Sequence, residues 1–122
     1  MLPEAAIQRH LVRMRRICES FPEVETRSGQ HHSFLVRNKK FANFFVDYRA
    51  DDRVWIQCRA ERGLNTTLAQ SDPERFFLPP YMAHHGWIGV YLDRGHVDWN
   101  ELEDLLAHAY KLAAPKNLVR DL

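Results

Sequence analysis

The residues best placed to do chemistry are cations beside a chain reversal. Arg37, Lys39 and Lys40 flank Asn38 in a stretch whose apolar residues alternate with a period of two, and Arg27 lies on the preceding strand candidate. A hairpin tip of this kind can lay cations along a phosphate backbone, where counterion release favours binding. Phe41 and Phe45 read as sharing the strand face turned away from the core, where exposed rings would stack on unpaired bases. The blander account of the same residues is a solvated tip whose lysines serve solubility and edge protection. A second cationic set, Arg9, Arg13 and Arg16, follows an i, i+4, i+7 spacing near His10 and Arg15. That stripe suits phosphates or an acidic partner, or is simply a solvated helix face.

Four of the seven histidines come as adjacent pairs, His31-His32 and His84-His85. Neighbours on an extended chain point to opposite faces, so neither pair makes a chelate. Tyr81, His84, His85 and Trp87 are close enough in sequence to line a pocket. A catalytic histidine there would need a carboxylate to orient it, with Asp93 and Glu74 as the available candidates. The acidic group Asp98, Glu101, Glu103 and Asp104 is accounted for by a helix start, and Asp51-Asp52 by a turn. The chain has no phosphate loop, nucleophile elbow or HExxH. We therefore assign no catalytic residue, no metal and no cofactor, and expect a non-enzymatic protein.

A chain of 122 residues, 45% apolar with seven Phe, four Tyr and three Trp, fits one domain over 1–122 with a core that needs no disulfide. Net charge is +1, far from the basic profile of an obvious DNA-binding domain. The balance is uneven: residues 1–62 hold twelve Lys/Arg against eight Asp/Glu, so +4, and residues 63–122 hold five against eight, so −3. Cys18 and Cys58 read as reduced, buried small hydrophobes. The first residues lack the apolar stretch of a signal peptide, and no run approaches the ~20 residues of a membrane span. The expectation is a cytoplasmic protein, monomeric rather than oligomeric.

The elements that must position these residues follow from period. Ile7, Leu11, Met14, Ile17 and Cys18 make one stripe of a helix from about Pro3 to Ser20. Strands are expected at Val24–Arg27, Ser33–Arg37, Phe41–Tyr48 and Val54–Ala60, joined by turns at 28–30, 38–40 and 50–53, as an antiparallel meander with one face buried. A short helix at Gly63–Gln70, an apolar run Phe76–Leu78 and a strand Trp87–Leu92 follow. Asp98 and Glu101 form a capping box, with Val97 and Leu102 as its staple, opening a last helix. Its core stripe is Leu102, Leu105, Leu106, Ala109 and Leu112. Pro115 limits it, and 116–122 reads as a loose tail.

Three blocks in this order resemble a known family. They are Asn38-Lys39-Lys40-Phe41-Ala42, then Phe77-Leu78-Pro79-Pro80-Tyr81-Met82 with Gly86-Trp87-Ile88-Gly89-Val90, then Asp98-Trp99 through Ala109-Tyr110 and Ala114-Pro115-Lys116. Together they resemble the MmcQ/YjbR-like family over most of the chain. The resemblance implies an α+β fold, an antiparallel sheet packed against helices, likened to double-wing DNA-binding domains. Two positions depart from the pattern: Gln57, where Lys is frequent, and Ala109, where Ser is common. The leading functional expectation is contact with DNA or RNA, weakly sequence-specific, through the hairpin and the first helix. An alternative is a protein-interaction module using Phe45, Trp55 and the sheet face. A third is a small-ligand or enzymatic role around Tyr81, His84, His85 and Trp87.

Overall fold

A computed structural model describes residues 1–120 and 122. The first helix, α1 (Glu4–Glu19), buries the expected stripe Ile7, Leu11, Met14, Ile17 and Cys18. The chain then runs through β1 (Val24–Ser28), β2 (His32–Val36), β3 (Lys39–Val46) and β4 (Val54–Cys58), each antiparallel to the one before. After α2 (Leu64–Ser71) come β5 (Phe76–Phe77) and β6 (Ile88–Tyr91), then α3 (Trp99–Ala113) and a short α4 (Lys116–Val119). The sheet is six-stranded and antiparallel, in the order β1-β2-β3-β4-β6-β5, so the fold is α+β. No helix among the described residues is long and apolar enough to cross a membrane.

One face of the sheet carries the core. Phe34 and Val36, Phe44, and Val54, Ile56 and Cys58 alternate inward along their strands and meet the stripes of α1 and α3. Each large side chain so buried contributes roughly 1.5–3 kcal/mol. Both cysteines are free and lie in this core. Burial pushes the Cys58 thiol up to about 12 and raises that of Cys18 as well, with Cys58 and Glu19 adding to the second.

Several details differ from the sequence-based expectation. The β2–β3 turn is Arg37-Asn38, both with left-handed backbone (φ 49 and 66), so Lys39 and Lys40 belong to the strand and not to the tip. Two successive left-handed residues match the twist of a two-residue hairpin, and asparagine tolerates that region well. The register then slips: Phe34 faces Ala42 but Leu35 faces Lys40, which leaves Phe41 as the extra residue of a bulge. Phe41 consequently turns into the core, its ring edge-on to Tyr110 at 5.6 Å, and does not share a face with Phe45. In α3, Tyr110 is fully buried and donates its hydroxyl to the Pro22 carbonyl at 2.7 Å, whereas Leu112 is 47% exposed. Asp98 caps α3 through the Glu101 N–H at 3.1 Å, but the Glu101 carboxylate pairs with Arg75 rather than returning to the cap. Phe76-Phe77 forms an added edge strand, and residues 116–119 of the expected tail are helical.

Candidate functional site

The sheet face turned away from the helices is concave. A cleft of about 860 Å³ opens there, between the β2–β3 hairpin on one side and the segment 80–87 on the other. Arg27, Lys39, Lys40 and Arg59 supply its cations, and no Asp or Glu is among its lining residues. Tyr81, His85 and Trp87 line the opposite wall, so the structure brings three of the hairpin set (Arg27, Lys39 and Lys40) and three of the pocket set into one site. His84 is not a lining residue; its ring centre lies 3.9 Å from that of His85.

The cations differ in what already holds them. Arg37 is spent on a paired contact with Glu23 (2.7 and 3.0 Å), which leaves it outside the cleft. Arg27 shares Glu25 at 3.1 Å and also donates to the Asn38 carboxamide oxygen at 2.9 Å. Lys39 and Lys40 are exposed and make no ion pair among the described residues. Arg59 donates its Nε to the Lys40 carbonyl at 2.6 Å and lies over the Trp87 ring at 5.6 Å, so its remaining N–H groups are oriented but not neutralised. The strong positions are therefore Lys39, Lys40 and Arg59.

The floor is polar in the middle and aromatic at one end. Ser33, Asn43 and Gln57 are cross-strand neighbours on β2, β3 and β4. Gln57 Nε2 donates to Asn43 Oδ1 at 3.0 Å, and Asn43 Nδ2 donates to Ser33 Oγ at 2.7 Å. All three are buried. Gln57 stands where the family resemblance leads one to expect Lys, so the cleft floor is neutral. Beyond the ladder, Phe45 stacks on Trp55 at 4.2 Å; outside the cleft, Phe77 meets Trp55 at 5.2 Å and stacks on Tyr91 at 4.4 Å. Phe45 and Trp55 retain only 4% and 5% of their accessible surface, which corrects the expectation that Phe45 presents a free ring. Tyr81, 71% exposed, is the accessible ring.

Local contacts fix these walls. Asn65, on α2, donates to the carbonyls of Ala83 (2.9 Å) and Trp87 (3.1 Å) and so pins the 83–87 segment. The turn after β3 strings together left-handed Asp47, Arg49, Ala50 and Asp52. Side chains hold that strained path: Asp47 accepts from the Asp52 N–H at 2.7 Å, and Asp51 accepts from the Trp55 indole at 3.1 Å. From this turn Arg49 reaches the Tyr81 hydroxyl at 3.1 Å, closing one end of the cleft. His31 leaves its Nδ1 without a hydrogen-bond partner among the described residues. Burial, then Lys40 and His32, hold its pKa below the ordinary imidazole value.

The remaining sequence candidates lie elsewhere. Arg9, Arg13 and Arg16 border a shallow groove on α1, behind the sheet, and Arg13 lies 5.8 Å from the centre of the Trp99 ring. One ligand on the cleft face cannot also rest on that stripe. Asp93, considered as an orienting carboxylate for a histidine, is committed to Arg53 (2.9 and 2.6 Å) and to the Val54 N–H at 2.9 Å. No group of three His, Cys, Asp or Glu among the described residues is arranged to hold a metal ion. Asn43, Asn65 and Arg59 were missed from sequence. Alternation places Asn43, Gln57 and Arg59 on the outward face, but their convergence requires the register, bulge included.

Comparison with known proteins agrees with the architecture. The family model described as YjbR matches residues 19–112. No curated protein matches the chain. The fold is similar to that of the Deinococcus radiodurans protein DR2400, whose domain is described as DUF419, with TM-score 0.67 and 21% identity over 81% of this chain and 74% of that one. It is also similar to a Pseudomonas syringae protein solved by structural genomics, with TM-score 0.66 and 13% identity over 87% of this chain and 97% of the other.

Proposed function

The chain belongs to the YjbR family, and for this member we propose nucleic-acid binding at the outward sheet face, with Lys39, Lys40 and Arg59 as the phosphate contacts. The observation that carries the reading is a cleft with no carboxylate among its lining residues, where Glu25 pairs with Arg27 and leaves Lys39, Lys40 and Arg59 as the cations open to a ligand. In a protein of net charge +1, that segregation makes a local positive field where the average gives none. It favours anions, and exposed lysines without ion pairs can neutralise phosphates at little desolvation cost. Arg9, Arg13 and Arg16 lie behind the sheet and are not part of this site.

The protein-module alternative draws less support, because Phe45 and Trp55 are packed against each other and nearly buried, which leaves it the sheet face alone. The small-ligand alternative keeps one point in its favour, a cleft volume within the roughly 300–1,000 Å³ common for small-molecule sites.

The test is fluorescence anisotropy of labelled oligonucleotides over a salt series, comparing wild type with Lys39→Glu/Lys40→Glu. Affinity is expected to fall linearly on a log–log salt plot, and the double variant to flatten that slope by about two phosphate contacts' worth. Absence of binding at low salt, or an unchanged slope in the variant, would remove the cleft from consideration as a phosphate site.

A further inference from the structure

We propose that the cleft accepts an unpaired base, so that the ligand is single-stranded nucleic acid rather than duplex; this rests on the phosphate-binding reading above and specifies it. Three observations converge. The first is shape: about 860 Å³ of concave space accommodates a nucleotide but not the convex cylinder of a duplex, whose bases are turned inward. The second is the floor. Uncharged Asn43 and Gln57 line it, at 3% and 7% exposure, and Ser33 backs Asn43 from the next strand. A carboxamide has two donors and an oxygen acceptor, and the ladder occupies only part of that capacity. What remains is an adjacent donor and acceptor, the pattern by which Asn and Gln meet a base edge. The third is the wall. Tyr81 presents an exposed ring, oriented by Arg49, on the side of the cleft opposite the lysines. A nucleotide with its phosphate at Lys39, Lys40 and Arg59 has its base directed across the floor toward that ring.

The experiment uses the full chain and three probes in low salt: a mixed-sequence single strand, the same backbone with abasic sites, and the matching blunt duplex. The single strand is expected to bind about tenfold more tightly than either of the others, the increment of one stacked base. Tyr81→Ala and Gln57→Leu are each expected to narrow the gap between base-bearing and abasic strands. Gln57→Leu leaves the Asn43 oxygen unpaired and requires a thermal melt to show that it folds; Tyr81 is exposed, so Tyr81→Ala provides the test independently of folding. Equal affinity for the single strand and the abasic strand or duplex, with salt dependence intact, would overturn the base site while leaving the phosphate site standing. Failure of all three probes to bind would overturn both.

Discussion

At the scale of single residues, the structure uses its charges in two ways. Some are consumed in holding the fold. Asp93 is the clearest case: burial alone would raise its pKa, but hydrogen bonds from Arg53 and from the Val54 N–H outweigh this and lower it. A carboxylate whose folded value is depressed contributes stability above its unfolded pKa, and that stability is lost as pH falls through the folded value. Because Arg53 is 31% exposed, solvent screening reduces the contribution. Asp93→Asn is expected to cost roughly 1–2 kcal/mol at neutral pH. The difference from wild type should vanish on acidification below the ordinary aspartate range; chemical denaturation at neutral and acid pH measures both. Other charges, Lys39 and Lys40 above all, are exposed and make no ion pair among the described residues.

At the scale of elements, the helices were legible because their stripes are long and regular: Ile7 to Cys18 and Leu102 to Ala109 each repeat over several turns. The meander was legible from alternation, since Val54, Ile56 and Cys58 do point inward. What sequence could not give was the consequence of one inserted residue. Phe41 is apolar on either reading, and only the slip between Phe34 and Leu35 decides that it enters the core. The edge strand β5 was equally hidden, because two residues carry no period. Its place depends on a glycine. A Cβ on Gly89 would lie 2.5–2.7 Å from the Phe77 ring, which is itself stacked on Tyr91 and set against Trp55. Gly89→Ala is therefore expected to destabilise by about 1–3 kcal/mol and to shift Trp55 fluorescence as Phe77 is displaced. Adding Phe77→Leu, which shortens the obstructing side chain, should recover part of the loss in a denaturant titration.

At the scale of the molecule, the helices occupy one face of the sheet and leave the other as a cleft. The charge asymmetry along the chain, +4 in the first 62 residues, does not collect on one surface. It divides between α1 and the hairpin, with the sheet between them. That division is also what makes the central claim easy to decide. Trp55 and Trp87 line the cleft, whereas Trp99 sits on the helical side beside His10 and Arg13. The three indole N–H resonances of the ¹⁵N-labelled protein thus report separately on the two faces during titration with a single-stranded oligonucleotide. With the ligand in the cleft, Trp87 and Trp55 shift in step with binding while Trp99 stays in place. Movement of Trp99 with the cleft pair silent would put the ligand on α1, and three unmoved resonances would mean that neither face binds it; either result contradicts the cleft as the site.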